Sequence, residues 1–119
     1  MSETEPDDRR EQHATSLQIG SLSVSVTRSC VRRDLYDLTV GRALDAALRG
    51  ELERWGAVRG PPNLWVIDVP QRHRITIAPA IGRVVILPRI ERSRDEQSAH
   101  ATEFLRWFEQ AVYPSAERS

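Results

Sequence analysis

Lysine does not occur in this chain; each of its 17 basic residues is an arginine. A GC-rich coding composition accounts for that. The alternative, use of the guanidinium's two-pronged geometry, requires the arginines to cluster. Cysteine is nearly absent as well, and the single Cys30 excludes an internal disulfide and any cysteine-rich zinc site. Aromatic residues make up only 6%, with no tyrosine or phenylalanine set among the central arginines to stack on bases. No apolar run nears the ~18 residues that span a bilayer, so no membrane insertion is expected. The N-terminal MSETEPDDRREQHAT has neither the basic nor the apolar part of a secretory signal. Standard chemical signatures are missing too: no G-x-G-x-x-G, Walker A loop, G-x-S-x-G, H-E-x-x-H or C-x-x-C. These absences predict a soluble, cytoplasmic protein without a cofactor or metal.

What is present is one domain's worth of chain, 119 residues, with segregated charge. Residues 1–12 hold five carboxylates against Arg9 and Arg10, whereas residues 58–94 hold seven arginines against Asp68 and Glu91. A formal net charge of zero thus conceals an acidic arm and a basic segment. Residues 1–14 read as a disordered arm, 15–113 as one domain, and 114–119 as a short tail.

Periodicity supplies the elements. In SLQIGSLSVSVTR, Leu17 and Ile19 alternate in one phase and Leu22, Val24 and Val26 in the other, with Gly20-Ser21 at the switch. A two-residue hairpin loop puts all five on one face; a bulge at Gly20 is the competing account. From Thr39 to about Trp55 the apolar stripe recurs every 3.6 residues, predicting a helix capped by Thr39 and ended by Gly56. Gly41 and Gly50 inside it imply close packing, and Asp45–Arg49 and Arg49–Glu53 imply ion pairs on its outer face. Three strands follow, at 63–69, 74–78 and 84–87, and Ser93-Arg-Asp-Glu96 opens a second amphipathic helix. The expected fold is α+β: an antiparallel sheet of four to five strands, hairpin plus three-stranded meander, packed by two helices.

Candidate chemistry is sparse. Cys30 lies among Arg28, Arg32 and Arg33, which would lower a thiol's pKa, but no base accompanies it, so it reads as an inert thiol. His100 reads as a helix-edge residue satisfied by Glu96 one turn away, and His13 lies in the arm. Matching Trp65, Ile67 and Val69 with Ile75 and Ile77 requires an odd loop, most simply the five residues 70–74. That sets Asp68 opposite the core, beside Arg72 or Arg74. The remaining candidate is a contact surface built from Arg72, His73, Arg74, Arg83 and Arg89, with the acidic arm as an internal competitor.

The element order is similar to that of small α+β adaptor folds such as roadblock domains and secretion chaperones. That similarity implies a domain that pairs with a copy of itself or with a larger client. The expected function is therefore a non-catalytic interaction or regulatory module, self-associating or bound to an acidic protein partner. The alternative is a binder of phosphate-bearing ligands through the same arginines, with nucleic acid disfavoured by the pI near 6.8. An enzyme using Cys30 or His100 ranks third.

Overall fold

A computed structural model describes residues 13–28, 34–89 and 91–113. Cys30, the acidic segment through residue 12 and the tail from 114 lie outside them. The described chain is α+β, with two helices and one fully antiparallel sheet of seven strands, more than the four to five expected. In chain order these are β1 (His13–Ile19), β2 (Leu22–Arg28), β3 (Asp34–Thr39), α1 (Ala46–Leu52), β4 (Val58–Arg59), β5 (Trp65–Val69), β6 (His73–Ala78), β7 (Arg83–Pro88) and α2 (Arg94–Val112). Across the sheet they run β1-β2-β3-β7-β6-β5-β4.

The N-terminal hairpin has the expected two-residue loop: Ile19 pairs with Leu22 and Leu17 with Val24. Gly20, at φ 55°, supplies the left-handed conformation that this turn demands. The strand begins at His13, two residues inside the stretch expected to be an arm. The unexpected β3 welds this hairpin to the meander, pairing with β2 on one side and β7 on the other. Its core-facing positions are Asp34, Tyr36 and Leu38, and the inward acid conceals the strand pattern. Asp34 is buried because two arginines meet it, Arg94 in close contact and Arg28 at 3.4 Å. The two-residue β4 is too short for any periodic signal.

Helix α1 is seven residues long rather than about seventeen. Thr39 is a strand residue paired with Arg83. The backbone N–H groups of Val40 and Leu44 donate across the sheet end to the carbonyls of Gly82 and Pro79, both at 2.8 Å. Those donors are committed before a helix can start. Gly41 turns the chain at φ 86°, and Asp45 is the N-cap, accepting from Leu48 N–H at 3.0 Å. Neither Gly41 nor Gly50 is crowded: a Cβ at either meets nothing within 4 Å, so close packing does not explain them.

Helix α2 starts at the capping box read from the sequence, with Ser93 and Glu96 bonded reciprocally. Its buried side includes Ala101, Phe104, Leu105, Phe108 and Val112. Phe104 is the hub of a ring cluster, 5.3 Å from Trp55, 5.8 Å from both Trp107 and Phe108, and 6.2 Å from His73. At the helix's first turn the fully buried Gln97 accepts from Asp34 N–H at 3.2 Å. It donates to the carbonyls of Arg92 at 3.0 Å and Arg89 at 3.4 Å. One side chain thereby ties the starts of β3 and α2 to the end of β7.

Leu48 and Leu52 of α1 share the core cluster with α2 and with the inward residues of every strand from β1 to β7 except β4. Both helices therefore lie on one face of the sheet.

Candidate functional site

The β5–β6 hairpin decides where the predicted site residues go. Asp68 pairs with Arg74 across the ladder and faces away from the core, as the alternation requires. The loop is shorter than expected: Val69 pairs with His73, leaving three residues, 70–72, between the strands. Pro70 and Gln71 form a tight turn in which Arg72 N–H donates to Val69 carbonyl at 3.1 Å, with Gln71 at φ 68°. A three-residue loop keeps the same parity as a five-residue one but draws His73 out of the tip and into the strand.

His73 is consequently a core residue, 3% exposed, and not part of a basic tip. Neither ring nitrogen has a hydrogen-bond partner. Burial, aided by the positive charge of His100 and Arg72, pushes its pKa down to about 4, against a weaker upward pull from Glu103. It is therefore neutral at physiological pH. His100 on α2 is also held below its ordinary value, first by burial and then by Arg72 and Arg92. Its Nδ1 has no partner, so the expected satisfaction by Glu96 is not made there. Glu96 is occupied with the Ser93 cap and lies 3.9 Å from Arg92.

The four predicted arginines divide between surfaces. Arg72 turns to the helical side and meets Glu103 of α2 at 2.7 Å. Arg74 faces the opposite side, donating to Asp68 at 2.7 Å, with Arg59 on the same carboxylate. These contacts hold the Asp68 carboxyl below its usual range, the hydrogen bond from Arg74 contributing most. Arg89 lies 3.3 Å from Glu91 and borders one depression with Arg74 and Asp68. Arg83 shares Arg74's face but forms a two-pronged pair with Asp37, at 2.7 and 3.2 Å. Four residue steps along β7 separate Arg83 from Leu87, Arg74's partner, about 13 Å at ~3.3 Å per residue. Each of these four arginines has a carboxylate beside it, and Arg74 shares its carboxylate, Asp68, with Arg59.

The face that carries Arg74 and Arg83 is the more distinctive feature. Among the described residues no element covers it. Its central positions, read across the ladder, are Leu35, Val85, Leu87, Thr76, Val66 and Ala78, all partly exposed. Asp37 and Arg83 stand at one end of this stripe, Asp68, Arg74 and Arg59 at the other. The signal for it was present in the sequence, since the last meander strand is apolar on both faces. The contribution of Leu35 was not visible without β3.

Among the described residues no three His, Cys, Asp or Glu side chains gather in a way that could hold a metal ion. Among the same residues no helix is long and apolar enough to cross a membrane. Comparison with known proteins yields no matching family model, no matching curated protein and no matching solved structure.

Proposed function

We propose that this protein is a non-catalytic interaction module whose contact surface is the uncovered face of its sheet. The observation that carries this reading is a seven-stranded sheet with both helices on one side and an apolar stripe on the other. A contiguous apolar patch rimmed by charge is what protein contact surfaces present to their partners. The first partner to consider is a second copy. Both ends of the stripe carry both signs of charge, so a copy turned end for end meets opposite charges at either end. The unbalanced positive charge where Arg59 and Arg74 share Asp68 suits an acidic contact at that corner.

Phosphate binding through Arg72, Arg74, Arg83 and Arg89 has weaker support, because an incoming anion must displace a carboxylate from each. Sedimentation velocity over a concentration series tests the proposal. The wild type is expected to show a concentration-dependent dimer that Leu87→Asp abolishes while leaving the monomer folded. A strictly monomeric wild type that also retains no protein on native co-purification would sink it.

A further inference from the structure

We infer that the cleft between α1, the β4–β5 loop and the β6–β7 turn is a binding site for a small carboxylate with an apolar body. It is independent of the sheet face and of the interaction reading. The cleft has a volume of about 630 Å³ and is walled by Leu44, Pro62, Trp65, Pro79 and Ala80, with Arg49 among its lining residues. That size and that mix of apolar wall with few polar groups are what small-molecule sites show. Leu64 and Ile81, the two large hydrophobic side chains left exposed among the described residues at 40% and 57%, adjoin lining residues in those two loops.

The polar groups specify the ligand's charge. Arg49 was expected to pair with Asp45 and Glu53 along the helix. Asp45 is instead committed to the N-cap, and Glu53 lies beyond the last helical residue. Among the described residues Arg49 has no carboxylate within ion-pair distance, and one nitrogen makes only a 3.4 Å contact to Val58 carbonyl. It thus differs from the arginines singled out by sequence, each of which is already neutralised. Trp65, 3% exposed, belongs to the apolar wall. An arginine without a carboxylate partner among the described residues, set in an apolar wall, calls for a ligand that brings an anionic group and an apolar body. The guanidinium would take the carboxylate, and the prolines, Leu44 and Trp65 the body.

The probe is 2-naphthoate, with the neutral 2-naphthylmethanol as its counterpart, titrated into the full chain. The readout is the Trp65 indole signal in nitrogen–proton spectra, assigned by its loss in Trp65→Phe. Saturable shifts at Trp65 are expected with naphthoate, weakened by about tenfold or more with the alcohol or in Arg49→Gln, since a charge-assisted contact is lost. Arg49→Lys, which keeps the charge, is expected to retain part of the affinity and stands in if Arg49→Gln perturbs folding. Absence of any saturable shift at millimolar naphthoate overturns the site. Equal binding of acid and alcohol, or equal binding by wild type and Arg49→Gln, overturns the assignment of a carboxylate ligand.

Discussion

At the residue scale, the informative side chains are buried polar groups that a sequence cannot place. His73 sits between Arg72 and Arg74 and looks wet, yet it stands against Phe104 with both nitrogens unpartnered. Its folded pKa of about 4 lies below the ordinary 6.5, so between those values the unfolded chain binds more protons than the folded one. Stability is full above pH 6.5 and falls as pH drops toward 4. The loss from this group is on the order of 2–3 kcal/mol. Urea unfolding at pH 7 and pH 4.5 should show that loss in the wild type and a much smaller one in His73→Leu. Gln97 is the other such residue. Replacing it with leucine leaves Asp34 N–H and the carbonyls of Arg92 and Arg89 without their partner, which should cost roughly 2–4 kcal/mol in chemical denaturation.

Among the elements, α1 is the clearest case of tertiary structure overriding a local pattern. Val40, Ala43 and Leu44 do fall on a helical stripe. The carbonyls of Gly82 and Pro79 nevertheless claim the N–H groups of Val40 and Leu44, and β7 claims Thr39. The cap accordingly moves to Asp45, and Asp45→Ala is expected to cost about 1 kcal/mol of stability whereas Thr39→Ala leaves the helix unaffected. Thermal unfolding with far-ultraviolet circular dichroism separates the two. The hairpin register, the Asp68 face, the capping box and the buried stripe of α2 were legible because each depends on neighbours close in sequence. β3 was not, because its inward Asp34 is met by Arg28 from the neighbouring strand and by Arg94, sixty residues away. The parity of β6 was legible and its start was not, and that difference of length alone decides whether His73 belongs to a surface or to the core.

Across the whole molecule, function turns on the layering. Two helices cover one face of a wide sheet, and the other face holds a partly exposed apolar stripe between charged ends. The arginine-rich stretch that stands out in the sequence is dispersed by this architecture. Arg72 goes to the helical side, while Arg74 and Arg83 become the charged ends of the open face. The arginine at the cleft, Arg49 on the short helix, has no carboxylate partner among the described residues, and the sequence offered no reason to choose it. The open face and the Arg49 cleft use different residues, so a single experiment can tell whether self-association belongs to the first. Methyl spectra of the full chain over a dilution series measure it directly. Concentration-dependent shifts are expected at Leu35, Val66, Val85 and Leu87 and none at the buried Leu48 and Leu52 or at Leu64 and Ile81, which adjoin residues lining the cleft. Spectra unchanged by dilution and unchanged by added native-host extract, or shifts confined to Leu64 and Ile81, would contradict association through the open face.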